Sequence, residues 1–246
     1  MDILVCISKA PDTTAKIQFT DGNTKFDENG VQFIVNPYDE WYALVRALEL
    51  KEAGGGSVCI ITVGGPEADP VIRKALAIGA DKAVRIDAQP TDAGFVAGQI
   101  ADYAKANSFD LILCGKETIN YIGSQVGGMI AAEMDLPYVS QAIKLDVAGA
   151  TATVERDIQG GVEVLEGNTP LVISCAKGMA EQRIPNMRGI MAARTKPLEV
   201  VAPTDRPALT EVVGYDLPPQ KTEVKLVDPE NAEELINLLR NEAKII

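Results

Sequence analysis

The chain predicts an α/β protein built on a doubly wound parallel sheet, followed by antiparallel add-on strands and a C-terminal arm. Three observations carry this. From Ile3 to Met134, short apolar runs bounded by turn signals alternate with helical periodicity, the βαβα pattern of a parallel sheet covered on both faces. After Pro137, apolar runs follow one another with turns and no helices between them. From Val201 onward Pro203, Pro207, Pro218 and Pro219 punctuate a stretch with little periodicity. The expected division is an α/β domain over 1–200 and an arm over 201–246.

Taken in order, Ile3–Ile7 is a buried strand, and Ser8–Thr14 leaves its carboxyl end, where an open α/β sheet binds ligands. Lys16–Thr20 and Val31–Val35 alternate like half-buried strands, with turns at Asp21-Gly22 and Asn29-Gly30, so a hairpin excursion is expected. Asn36-Pro37 supplies an N-cap and a first helical residue. Trp41, Leu44, Val45 and Leu48 then fall at helical spacing until Gly54-Gly55-Gly56. Strands follow at Val58–Val63, 82–86 and Leu111–Cys114, with helices at about 69–79 and 91–106 between them. A polar loop from Gly115 to Ile122 and the glycine-bearing stretch Gly123–Gly128 lead into a helix at Met129–Met134. Tyr138–Leu145, Thr151–Ile158, Val162–Leu165 and Leu171–Ser174 predict antiparallel strands covering an edge of the sheet. In the arm, Asp228-Pro229 caps a last helix with Ala232, Leu235, Ile236 and Leu239 on one face, a stripe expected to bury against another subunit.

Totals exclude several function classes. A formal net charge of −12 over 246 residues argues against a nucleic-acid or anionic-membrane surface. Apolar runs fall short of membrane-spanning length, and the first residues enter a strand at once, so a cytoplasmic protein is expected. Histidine is absent, which removes the usual general base and the commonest metal ligand. Cys6, Cys59, Cys114 and Cys175 each lie inside an apolar run and form no CxxC, so they read as small buried hydrophobes.

A strand, a glycine-bearing loop and a helix N-terminus over 111–134 make an anion site, because free backbone N–H groups and the helix dipole both favour a phosphate. Neither GxGxxG nor GxxxxGK[ST] is present, and the same glycines would serve an ordinary tight βα turn. With strand order 3-2-1-4-5 the sheet reverses between the Ile3 and Leu111 strands. Cys6–Lys9, Asn36–Asp39, Gly64-Gly65 and Gly115–Val126 would then line a nucleotide-sized crevice. The stretch Val154–Glu163 reads from spacing as a Gly-Gly hairpin with surface charges. Lys177–Lys196 is the one basic island in an acidic chain; its apolar Ile184, Met187, Ile190 and Met191 among arginines give it the look of a protein-docking patch, centred on 181–191.

Together these stretches resemble the beta subunit of electron-transfer flavoproteins over nearly the whole chain. The matching pieces are Pro11-Asp12-Thr13, Asn36–Glu40, Ala75–Asp81, Gly115–Ile119, Gln125-Val126-Gly127, Val154-Glu155-Arg156 with Gly160–Glu163, and Pro185-Asn186-Met187 with Ile190-Met191. The resemblance implies an adenine-nucleotide-binding fold of the universal-stress type, and an electron-carrier subunit rather than an enzyme. It implies a larger alpha subunit that holds the redox FAD. A structural AMP would sit in the crevice, touching Cys6, Asn36, Tyr38, Asp39, Gly64, Gly115, Gly123, Ser124, Gln125 and Val126. Thr13 matches a position approaching the flavin. Ile184, Met187, Ile190 and Met191 match the segment that docks dehydrogenases, such as the acyl-CoA dehydrogenases of fatty acid oxidation, and a membrane quinone oxidoreductase would receive the electrons.

The chain departs from the family at Asn120-Tyr121-Ile122-Gly123, where acidic residues are frequent, and at Ser8, where lysine is usual. Electron-bifurcating members hold a second FAD in place of AMP and carry D-G-D-T-A-Q-V-G-P, of which only Gln125-Val126-Gly127 is present, so AMP is expected and the second FAD is the alternative. A nucleotide-using enzyme of the same fold is a further alternative, and Ser8-Lys9-Ala10-Pro11 lacks the Ser/Gly-rich pyrophosphate loop it would need.

Overall fold

Residues 1–220 and 224–246 are described by the computed structural model. Strand β1 (Asp2–Cys6) is followed by the short strands β2 (Lys9–Pro11), β3 (Phe19–Thr20), β4 (Lys25–Phe26) and β5 (Phe33–Val35). Then come α1 (Asp39–Gly54), β6 (Ser57–Val63), α2 (Asp69–Ile78), β7 (Lys82–Ile86), α3 (Ala93–Asn107), β8 (Leu111–Gly115) and α4 (Val126–Met134). The rest comprises β9 (Tyr138–Ala148), β10 (Thr151–Ile158), β11 (Gly161–Asn168), β12 (Leu171–Cys175), α5 (Met187–Ala193), β13 (Leu198–Val201) and α6 (Ala232–Asn237), which runs into a π-helical turn at Leu238–Glu242.

The main sheet has nine strands in the order β11-β10-β9-β12-β8-β1-β6-β7-β13. Every pairing from β9 to β13 along that order is parallel, and the two pairings of β10, with β9 and with β11, are antiparallel. Its centre therefore has the expected 3-2-1-4-5 order, with β1 between β6 and β8. Alternating strand residues divide the core. Ile3 and Val5 pack with Leu44, Leu48, Ile72 and Leu76 of α1 and α2, while Leu4 and Cys6 pack with Ile100, Ala104 and Ile130 of α3 and α4. All four cysteines are free and buried.

Four local expectations need correction. First, β12 is not an edge strand: it lies inside the sheet, parallel to both β8 and β9. All five of its residues are buried, as a strand covered on both faces requires. Second, Lys16–Thr20 and Val31–Val35 do not pair. Phe19–Thr20 closes on Lys25–Phe26, because Asp21, Gly22 and Asn23 all take positive φ in a tight turn, leaving Phe33–Val35 to pair with Lys9–Pro11. Third, α1 begins at Asp39 rather than Pro37, since Tyr38 at φ 69° cannot continue a helix. Fourth, the last helix is capped by Asn231, whose Oδ1 accepts from the Glu234 amide at 3.2 Å, and not by Asp228.

Val201 still belongs to β13, so the arm leaves the sheet one residue later than expected. Its first part lies along α3 and α4. Gln99 exchanges two 2.8 Å hydrogen bonds with the Thr204 backbone, and Arg206 bridges Asp102 at 2.7 Å and Glu133 at 3.0 Å. Tyr215 then stacks on Phe19, ring centroids 4.8 Å apart. Beyond it no residue of α6 is buried, and Leu235 and Ile236 are nearly half exposed. Among the described residues no helix is long and apolar enough to cross a membrane.

Candidate functional site

The chain leaves β1 towards α1 on one face of the sheet and leaves β8 towards α4 on the other, so a crevice opens outside their carboxyl ends. Asn36 organises it. Its side chain is fully buried; Nδ2 donates to the Glu117 carbonyl at 3.0 Å and Oδ1 accepts from the Ile119 amide at 2.9 Å. One amide thereby clasps the loop between β8 and α4. The Lys116 amide donates to the Cys175 carbonyl at 2.8 Å, and the Glu117 amide to Asp39 Oδ2 at 3.3 Å. Gly115 fits because it has no side chain: a Cβ there would lie 2.7 Å from Glu40 Cγ and 2.9 Å from the Glu40 nitrogen.

Beyond the clasp the loop turns outward. Ile122 and Ser124 both take φ near 51°, residues 120–125 are exposed, and Ser124 Oγ donates to Glu117 Oε2 at 3.1 Å. Helix α4 starts at Val126, three residues before the expected Met129. Its first-turn N–H groups have no intrahelical acceptor and carry the positive end of the helix dipole. Gly127 and Gly128 let this turn lie against the Tyr138 ring, which a Cβ would approach to 3.2 and 3.4 Å.

Of the residues expected at the site, Cys6, Asn36, Asp39, Gly115 and Val126 are assembled around the crevice floor. Cys6 lies beside Cys114, whose hydrogen bond and the surrounding burial push its thiol well above the ordinary range. Tyr38 is exposed on the rim, and Gly123, Ser124 and Gln125 form the exposed part of the loop. Gly64 stands apart at the end of β6. Its amide is committed to the Ile86 carbonyl at 3.0 Å, and its own carbonyl accepts from Arg85 Nη1 at 3.0 Å. Thr13 sits on an exposed turn after β2, held by Asp12, which accepts from the Thr14 amide at 2.9 Å.

Glu40 and Ser8 belong to the floor as well. The Ser8 amide and hydroxyl meet the two carboxyl oxygens of Glu40, each at 2.8 Å. Burial pushes the Glu40 carboxyl up to about 8, against the opposing pull of those hydrogen bonds. In the sequence Glu40 reads as one more acid in a first helical turn, where the dipole favours carboxylates; nothing in the spacing says it turns inward. Burial biases Glu40 towards its neutral form, Glu117 pairs with Lys116 at 3.0 Å, and burial raises the Asp39 carboxyl too, so the negative charge of these acids at the floor is moderated.

The basic island forms a second surface, packed on α2 and tied to α1 through Trp41. It is not a loop throughout, since 187–193 is helix α5. Backbone anchors fix it: Trp41 Nε1 donates to the Arg183 carbonyl at 3.2 Å, and Arg73 Nη1 to the Ala193 and Lys196 carbonyls at 2.8 Å. The apolar side chains point away; Ile184 is 79%, Met187 73%, Met191 67% and Ile190 42% exposed. A groove of about 380 Å³ is lined by residues of 183–189 and by Ala77, Ile78 and Gly79 at the end of α2, against which Gly189 packs with no room for a Cβ. On the β10–β11 hairpin Arg156 and Glu163 are cross-strand partners joined by a 2.5 Å ion pair, so the Gly-Gly hairpin read from spacing is formed.

The family profile described as the electron transfer flavoprotein domain matches residues 23–206. The chain is 38% identical to the electron transfer flavoprotein subunit beta of Bacillus subtilis (strain 168), covering all of both chains. It is 30% identical to the human protein of the same name over 99% of this chain and 98% of that one. It is also 30% identical to the acryloyl-CoA reductase electron transfer subunit gamma of Anaerotignum propionicum, over 97% and 98%. With a profile spanning most of the chain and a beta subunit aligned end to end, the chain belongs to the electron transfer flavoprotein family, on its beta-subunit side.

Proposed function

We propose that this chain is the non-catalytic beta subunit of a heterodimeric electron carrier, with one AMP in the switch-point crevice and the redox FAD held mainly by an alpha subunit. The observation that carries the AMP reading is the Asn36 clasp, which presents the β8–α4 loop and the free first-turn amides of α4 to an anion in a crevice lacking a catalytic histidine. AMP contributes charge and shape rather than redox chemistry, so its place here is structural. FAD supplies the electron-accepting chemistry on the partner; Thr13, on its exposed turn, is the contact this chain offers it. The surface of Ile184, Met187, Ile190 and Met191 receives the dehydrogenases, such as acyl-CoA dehydrogenases, and a membrane quinone oxidoreductase takes the electrons onward.

Acid extraction of the co-purified complex, followed by chromatography, tests this reading. One AMP and one FAD per heterodimer is the expected result. Two FAD and no AMP would replace it with the bifurcating reading, of whose pattern Gln125-Val126-Gly127 at the start of α4 is the part present.

A further inference from the structure

Glu40 has no part in the reading above, yet it is the most deeply buried acid at the crevice. Its side chain is 6% exposed, and both oxygens face Ser8 at 2.8 Å. Gly115 of β8 presses on its other side, with room for no Cβ. The ionisable groups around it are Cys6 from β1, whose own thiol is held protonated by Cys114 and burial, and Asp39 from α1, whose charge opposes a negative charge at Glu40. The nearby cation Lys116 is engaged with Glu117 at 3.0 Å, and among the described residues no lysine or arginine pairs with Glu40. A desolvated carboxylate beside another acid and without a cation is costly to ionise. The Ser8 amide donates to Oε2 and the Ser8 hydroxyl to Oε1, contacts that the oxygens of a neutral acid can also accept.

We propose that Glu40 is a proton-holding positioning residue, neutral while an adenine nucleotide's phosphate occupies the crevice, and that its ionisation weakens nucleotide binding. The proposal rests on the nucleotide reading. An ionised Glu40 and a bound phosphate would put two like charges in one crevice, so each disfavours the other. Reciprocity then requires nucleotide binding to take up a proton once the pH exceeds the pKa of the empty site.

The test is calorimetric titration of AMP into the nucleotide-stripped complex of this chain with its alpha partner. Titrations are run at about pH 7 and about pH 9, each in two buffers of different ionisation enthalpy; the phosphate of AMP, with its second pKa near 6, is dianionic at both. Affinity is expected to fall about tenfold at the higher pH, with close to one proton taken up per AMP. In the Glu40→Gln complex the ratio of affinities should collapse to about one and the uptake disappear. Equal wild-type affinities without proton uptake overturn this proposal and leave the nucleotide reading standing. Failure of AMP to bind at either pH overturns that reading and this proposal with it. The wild-type titrations decide the matter even where Glu40→Gln folds poorly.

Discussion

The crevice loop and the α5 segment are both anchored by side-chain hydrogen bonds to their backbones, and they are built with opposite polarity. At the crevice the polar side chains turn inward: Asn36 is fully buried and hydrogen-bonds the backbone of a loop 81 residues away. At α5 the scaffold's side chains reach out to hold backbone carbonyls, and the segment's own apolar side chains are left in water. On the proposed function the first arrangement would present backbone amides to a small anion, and the second apolar area to another protein. Substitutions should therefore cost stability at the crevice and spare it at α5, and that contrast can be broken experimentally.

The largest loss should come from Asn36→Leu. It strands the Glu117 carbonyl and the Ile119 amide in a buried place, at about 1–3 kcal/mol each, and should release the nucleotide as the loop frees itself. Denaturant unfolding and nucleotide content measure both; an unchanged midpoint with bound nucleotide would mean the clasp is ornamental. Gly115→Val should cost somewhat less, about 1–3 kcal/mol, by forcing α1 away from β8. A stable Gly115→Val chain with full nucleotide content would show that the close approach at Glu40 is not needed.

Glu40 predicts a smaller, pH-dependent difference. Its folded carboxyl titrates near 8 against an ordinary value of 4.5, so the folded state holds a proton that the unfolded chain has released. Stability from this group is complete below the unfolded pKa and is lost as pH rises through that interval, by at most about 1.4 kcal/mol per unit. Comparing unfolding of wild type and Glu40→Gln at about pH 6 and pH 8 checks the sign: the wild type alone should weaken at the higher pH. The α5 segment should behave otherwise. Met187→Ala should leave the melting temperature within about 1 °C, its side chain being largely exposed, and slow reduction by a partner dehydrogenase about five- to thirtyfold. A lowered melting temperature with normal electron transfer would make Met187 a packing residue.

The same contrast explains what the sequence disclosed. Buried parallel strands announce themselves by composition, which is why β1, β6, β7 and β8 lie where their apolar runs do, and the switch point follows from their order. Composition does not report direction. The run at Leu171–Cys175 is as apolar as the others, but its neighbours in sequence are hairpin strands, and only long-range pairing places it beside β8. Asn36 followed by proline matches a capping pattern, and its actual use, clasping a loop 81 residues on, is a tertiary contact that local propensity cannot register. Glu40 was hidden for the same reason. The exposed stripe of α5 was legible because a rule was broken: apolar residues appeared among arginines in an otherwise acidic chain.

The arm extends the comparison to its limit, because it contains both kinds of surface in sequence. Thr204 and Arg206 are hydrogen-bonded to α3 and α4, and the Leu209 and Thr210 amides donate to Asp92, the N-cap of α3, so this part belongs to the chain's own fold. Among the described residues after Tyr215 several apolar side chains face water: Leu217 is 60%, Val224 74% and Leu226 89% exposed, and no residue of α6 is buried. A partner covering even a few of them would gain about 1.5–3 kcal/mol for each large side chain. Ending the chain after Tyr215 should accordingly change its own unfolding free energy by less than about 0.5 kcal/mol, the smallest effect in the series. The same truncation should weaken heterodimer formation at least about a hundredfold, since only two such side chains are needed for that loss. Ending the chain after Val201 removes the Arg206 strap as well and should lower stability in its own right, separating the two halves of the arm. If the chain ending at Tyr215 still pairs with the alpha subunit at full affinity, the distal arm is not an interface element.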